Sequence, residues 1–280
     1  MKKQLLIISL LFLSLLAMAQ QEQSSKPQKF YIRIGLGGGV STSSSFDLLY
    51  DYKTDGNDKT IGVHPVGFGN GFNGSVAFGY WFSKYAGVEL SVNEFLGLPI
   101  TGDSVVHLMG ATKATASVAG TLLSVVPSIV ISAGLEKINP YARFGLLVGV
   151  LPGITSQYKD ENSTTNPPAN KTITNQYYGG VSLGYVAAGG VTFNISKLLN
   201  IFVELQFSHS TWSPDHSKVV TYEINGEDKL PTLLPYQKDV DFVAEKYIIG
   251  TIDMSQPRQE LRKTIPFSTA AVNFGVTFKL

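Results

Sequence analysis

The last nine residues, Val272-Asn273-Phe274-Gly275-Val276-Thr277-Phe278-Lys279-Leu280, sort completely by parity. Val272, Phe274, Val276, Phe278 and Leu280 are apolar, while Asn273, Gly275, Thr277 and Lys279 are polar or small. A period of two marks a strand with one apolar and one polar face. Left at the margin of a soluble protein, such a strand would be an unprotected sheet edge. It is stable if it closes a sheet on itself by pairing with the first strand, its apolar face against lipid. The rest of the chain must then supply the other strands.

Charged residues make up 15% of the 280, against about 25% in ordinary soluble domains. Glycine (28) and aromatics (11%) are abundant. There is no cysteine, which excludes disulfides, thiolate metal sites and cysteine nucleophiles. Met1-Lys2-Lys3, the apolar run Leu5 to Leu16 and Ala17-Met18-Ala19 have the layout of a secretory signal peptide, 1–19, cleaved near Ala19. Loss of its two lysines takes the formal charge from +1 to −1, a balance that offers nothing to nucleic acid. Residues 20–29 read as a short disordered lead-in, and 30–280 as one domain.

Alternation recurs throughout that domain. Strands are predicted over Phe30 to Val40, Phe72 to Phe82, Ala86 to Phe95 and Ala116 to Gly134. Four more follow over Tyr141 to Leu151, Tyr177 to Ile195, Ile201 to Thr211 and Phe267 to Leu280. The run from Ala116 to Gly134 is long enough to suggest a helix. Its β-branched residues and its evenly spaced Ser124, Ser128 and Ser132 favour a strand, with a bulge at Pro127 where a ladder donor is missing. Short turns follow the second, fourth and sixth strands. Polar stretches at 41–70, 97–112, 155–176 and 213–264 read as long loops, the last with strand-like or helix-like patches.

The expected fold is all-β: an eight-stranded, antiparallel, up-and-down transmembrane barrel with short periplasmic turns and long extracellular loops. Tyr31, Trp81, Phe82, Tyr85 and Trp212 fall where interface aromatics belong. A soluble lipocalin-like barrel would show the same alternation facing the other way. The polar face here is mostly Gly, Ser, Ala, Asn and Thr, which suits a crowded interior, and the apolar face is aromatic and aliphatic.

On this layout and on Gly275-x-x-Phe278-x-Leu280, the chain resembles the small outer-membrane barrels of the outer membrane protein A transmembrane type. The resemblance implies a Gram-negative outer-membrane location, contact with outer-membrane lipid, and Gly275, Phe278 and Leu280 as the signal read by the barrel-assembly machinery. That family usually ends in an aromatic residue; here the last residue is Leu280.

Inward positions carry few charges, Arg33, Glu89, Arg143, Glu204 and Lys279, and these must pair or meet water. Eight strands leave an interior that side chains fill. The expected function is therefore non-enzymatic: a filled barrel displaying loops for envelope integrity or for an extracellular partner. The alternative is a narrow channel for ions or small apolar solutes. A remote one is a lipid A-modifying enzyme: Phe207-Ser208-His209-Ser210-Thr211-Trp212 resembles the His-x-Ser neighbourhood of outer-membrane lipid A deacylases, with Thr211 two residues after His209 on the same strand face, although no orienting acid accompanies them. Asp51-x-Lys53-x-Asp55-Gly56 lacks the oxygen ligands of a calcium loop, so no metal and no cofactor is expected.

Overall fold

The computed structural model describes residues 29–43, 46–55, 58–103, 113–163, 169–246 and 253–280. The expected signal peptide and all but the last residue of the lead-in lie outside them. The described residues form sixteen strands, in order. The first eight are β1 (Phe30–Ser41), β2 (Phe46–Asp55), β3 (Asp58–Val66), β4 (Gly71–Trp81), β5 (Ala86–Gly97), β6 (Ile100–Asp103), β7 (Lys113–Ser132) and β8 (Ile138–Ser163). Then come β9 (Ala169–Tyr178), β10 (Ser182–Asn194), β11 (Leu199–Trp212), β12 (His216–Ile224), β13 (Glu227–Asp228), β14 (Asp239–Val243), β15 (Arg258–Leu261) and β16 (Ile265–Lys279). One helical turn, α1 (Pro235–Lys238), precedes β14.

Eight of these strands pair in a cycle. β1 pairs with β4, β4 with β5, β5 with β7, β7 with β8, β8 with β10, β10 with β11, β11 with β16, and β16 with β1, every pairing antiparallel. The ring closes where the alternating C-terminal stretch meets the first strand, from Tyr31↔Lys279 to Ser41↔Thr269. All eight correspond to segments read as strands from their parity.

Parity also governs burial. Outward residues such as Phe72, Leu146, Leu205 and Phe274 are 60–67% exposed, whereas the inward Arg33, Glu89, Val126, Arg143 and Glu204 are 0–7% exposed. At one end the strands are joined by tight turns. Ser83 Oγ accepts from the backbone N–H groups of Tyr85 and Ala86, and Ser196 Oγ from those of Leu198 and Leu199. These hydroxyls hold the turns by local side-chain bonding.

At the other end the sheet continues beyond the ring. β8 runs on for 26 residues in all and pairs with β9, β9 with β12, and β12 with β14 and the short β13; β15 then runs parallel to β14. On the far side β6 pairs with β7, and β2 with both β3 and β6. This crown corrects three expectations. The stretches 41–70, 97–112 and 155–176 are not plain loops, because Thr, Tyr, Ile and Val within them are good strand formers despite their polar neighbours, and in 213–264 the strand-like patch before Asn225-Gly226 is β12. The strand expected over Tyr177 to Ile195 is broken at Gly179 and Gly180, whose φ values of +82° and +73° suit glycine and end a strand. Asp51, Lys53 and Asp55 lie on β2, in extended backbone rather than in a turn.

Pro127 is also placed differently. It sits in register with Leu90 of β5, and the register shift between β7 and β8 falls at Leu123/Ser124 instead. The β7–β8 ladder passes from Val125↔Val148 to Ser128↔Gly145 without a change of register. The missing donor is absorbed without inserting a residue.

Candidate functional site

Inward parity sends a small set of polar side chains into the middle of the ring. Arg33 Nη2 donates to Glu204 Oε2 at 2.6 Å and to the Tyr141 hydroxyl at 2.6 Å. Arg143 donates from Nη1 to Glu89 Oε1 at 3.0 Å and from Nη2 to Glu204 Oε1 at 2.8 Å. Arg33 Nη1 stands 4.0 Å from Glu89 Oε2. Two guanidinium groups and two carboxylates thus neutralise one another across the lumen, which is how buried charges become tolerable. The Arg33 guanidinium also lies 3.7 Å from the centre of the Phe202 ring.

Two tyrosines complete the arrangement, each by crossing a glycine. Tyr31, Gly79 and Glu89 are in register on β1, β4 and β5, and the Tyr31 hydroxyl donates to Glu89 Oε2 at 3.1 Å. Tyr141, Gly190 and Glu204 are in register on β8, β10 and β11, and the Tyr141 hydroxyl donates to Glu204 Oε2 at 2.9 Å. A Cβ on Gly79 would stand 2.0 Å from the Tyr31 ring, and one on Gly190 2.8 Å from the Tyr141 hydroxyl. Only glycine leaves the path open.

The parallel reaches into the sequence. Tyr31-Ile-Arg33-Ile-Gly-Leu on β1 matches Tyr141-Ala-Arg143-Phe-Gly-Leu on β8. Ser83-Lys84 before Val88-Glu89-Leu90 matches Ser196-Lys197 before Val203-Glu204-Leu205. The two halves of the ring carry the same Tyr-x-Arg strand and the same Val-Glu-Leu strand. Each tyrosine serves the glutamate of its own half, while Arg33 reaches the glutamate of the other half and Arg143 reaches both.

Sequence reasoning missed the tyrosines in this role, as well as Gln206, Asn273 and Asn73. Asn273 Nδ2 donates to Gln206 Oε1 at 3.1 Å and lies 3.4 Å from Glu204 Oε1; Asn73 Nδ2 donates to Asn273 Oδ1 at 2.9 Å. Comparing the two halves of the sequence would have singled out Tyr31 and Tyr141; no spacing rule points to the amides.

The lumen is filled again toward the crown. Val118, Leu122, Val126, Leu147, Val186 and Phe267 pack there with Val66 and Phe68, which descend from the end of β3, and with Trp212. Trp212 is 1% exposed and donates from Nε1 to the Gly179 carbonyl at 2.7 Å. It is an interior residue, not an interface aromatic. Tyr31, at 4% exposure, is interior too, and Trp81 packs against it with ring centres 5.8 Å apart. These three turn inward because their positions share the parity of the charged residues. Phe82 and Tyr85, at 60% and 51% exposure, project from the turn end.

The other singled-out residues are dispersed. Lys279 is half-buried at the turn end and belongs to no ion pair found among the described residues. Phe278, expected on the outer face, is only 7% exposed, flanked in register by Ile32 and Leu199. Gly275 abuts the Ile34 carbonyl, and Leu280 is exposed, its N–H donating to the Phe30 carbonyl at 2.8 Å. His209 Nδ1 is 2.6 Å from Ser268 Oγ on the neighbouring strand, not bonded to Thr211, and Ser268 is 1% exposed. A serine so enclosed is poorly placed for attack on a substrate. No cluster of metal-ligating side chains occurs among the described residues.

No family model matches the chain, and no curated protein matches it. Among solved structures it is similar to two of Ail, the attachment invasion locus protein of Yersinia pestis. One is 13% identical with a TM-score of 0.31; the other, in complex with the heparin analogue sucrose octasulfate, is 11% identical with a TM-score of 0.32. Each match covers 89% of this chain and 99% of the Ail chain.

Proposed function

We propose that this protein is a non-enzymatic β-barrel of the Gram-negative outer membrane, exported by cleavage near Ala19. In this reading the eight-stranded ring spans the bilayer, its turns face the periplasm, and its crown is displayed outside the cell. The observation that carries the reading is the inversion of the ring: large apolar side chains cover its outer wall, and the charges at its centre, Arg33, Glu89, Arg143 and Glu204, are enclosed and paired. A protein surrounded by water would hide the first set and expose the second. A membrane-spanning sheet also has to close, because hydrocarbon offers nothing to a free edge.

The same packing supports a filled lumen over a channel. The ion-pair layer blocks the middle of the ring, and the apolar plug around Val126, Leu147 and Phe267 blocks it again toward the crown. With the lumen closed, the crown is the surface left for work, either envelope integrity or contact with an extracellular partner. The barrel-assembly machinery is the expected partner during insertion, reading Gly275, Phe278 and Leu280. Purified protein reconstituted in planar bilayers should give no steady conductance. Stable open channels would overturn the filled-lumen reading in favour of an ion or small-solute pathway.

A further inference from the structure

Beneath the ion-pair layer, at the turn end, the ring encloses a cavity of about 380 Å³, within the size range of small-molecule sites. Among the described residues its lining includes Lys29, Lys84 and Lys279 but no aspartate or glutamate. Arg33 also reaches it, with its charge already met by Glu204. The surrounding rim repeats the bias. Each tight turn carries a lysine (Lys84, Lys137, Lys197), and Lys29 and Lys279 stand where the chain enters and leaves the ring. Among the described residues, Glu136 stands against these. Cations gathered round a low-dielectric mouth without matching carboxylates focus a positive potential into it.

A second observation is independent of charge. Asn200 lines the same cavity at 5% exposure, and its Oδ1 has no hydrogen-bond partner among the described residues. A buried amide oxygen left unmet is costly, so a donor is missing from this site. Trp81 supplies an aromatic wall.

We infer that the turn-end cavity binds a phosphate monoester of a small hydroxylated molecule. The phosphate is held by Lys29, Lys84 and Lys279, and a hydroxyl of the ligand donates to Asn200 Oδ1. Phosphate fits a set of lysines as a compact charge fits point donors. Such a group can belong to a soluble ester or to a lipid headgroup, and the two sources are separable by experiment. The inference rests on the cavity and not on the closed lumen, so a conductance result leaves it standing.

The test is calorimetric titration of the mature chain in neutral detergent micelles with glucose 6-phosphate, with glucose and inorganic phosphate as comparisons. Saturable binding of glucose 6-phosphate is expected, tighter than that of either comparison. Lys84→Gln and Lys279→Gln should each weaken it by about tenfold or more, the loss of one charge-assisted bond. Lys84 lies in a turn, so its variant keeps the test valid if a change next to the C-terminus disturbs folding. Asn200→Ala should weaken glucose 6-phosphate and leave inorganic phosphate unchanged. Repeating the titration in nanodiscs of phosphatidylcholine with and without phosphatidic acid, whose headgroup is a phosphate monoester, identifies the source. Loss of binding only with phosphatidic acid assigns the site to a headgroup, and retention assigns it to a soluble ester. The inference is overturned if glucose 6-phosphate shows no saturable binding, if glucose or inorganic phosphate binds as tightly, or if both lysine variants bind like the parent.

Discussion

Glu204 is 1% exposed and meets Arg33, Arg143 and Tyr141 at 2.6–2.9 Å, with Asn273 near at 3.4 Å. Its value lies less in the attraction it contributes than in what its absence would strand. Glu204→Ala leaves Arg33 with no carboxylate nearer than the 4.0 Å approach to Glu89 and leaves two charges facing a single carboxylate. Removing one partner of a buried pair costs about 3–5 kcal/mol, because the remaining charge is uncompensated. Glu204→Gln keeps an acceptor for Tyr141 and should cost less. Equilibrium urea unfolding in detergent micelles checks both. Equal stability of Glu204→Ala and parent would mean that water reaches the arginines, and with it a route along the lumen.

At the scale of elements, the Gly179-Gly180 pair separates a strand of the crown, β9, from a strand of the ring, β10. Both residues have positive φ, and a Cβ on Gly180 would stand 2.5 Å from the Ser213 carbonyl. Gly180→Ala should cost about 1–2 kcal/mol from the left-handed backbone alone. The cost should fall on the crown, where β9 pairs with β12, so amides of β9 and β12 should exchange faster while those of β10 and β11 keep the rate of the parent. Hydrogen exchange read by mass spectrometry decides; uniform acceleration would show that crown and ring open as one unit. The same junction marks the limit of what parity could say. Ring strands such as β4 and β16 have one apolar and one small or polar face, so their sequence alternates and they can be read directly. Strands such as β9, Ala-Asn-Lys-Thr-Ile-Thr-Asn-Gln-Tyr-Tyr, are polar on both faces and have no alternation to read. Parity did place Arg33, Glu89, Arg143 and Glu204 on the inward face. It could not say which would meet, because that depends on pairing partners up to 171 residues apart. The interior places of Tyr31 and Trp212 follow from parity as well, but aromatic residues near strand ends suggest interface anchors before they suggest a core.

For the molecule as a whole, the question is whether the ring needs its crown. Trp212 of β11 and Ile265 of β16 are directly opposed, although the chain between them makes β12 to β15. All eight ring pairings, the ion-pair layer and the repeated Tyr-x-Arg and Val-Glu-Leu strands lie outside that excursion. Joining Ser213 to Thr264 through a two-residue Asn-Gly turn should therefore leave a closed ring, since such turns suit antiparallel neighbours. The deletion removes β12, one of the two partners of β9, and the whole of β14 and β15, while Trp212, Ile265 and Phe267 remain to fill the upper lumen. The shortened protein is expected to keep the heat-modifiable gel mobility of a folded barrel and a melting temperature close to that of the parent. On the proposed outer-membrane reading it should also reach that membrane in cells that express it, while any binding of those cells to an extracellular partner is lost. A shortened chain that fails to fold would show that the crown is needed to assemble the ring. Unchanged partner binding by a well-folded one would remove 213–264 from the recognition surface and shift attention to β2, β3 and the outer end of β8.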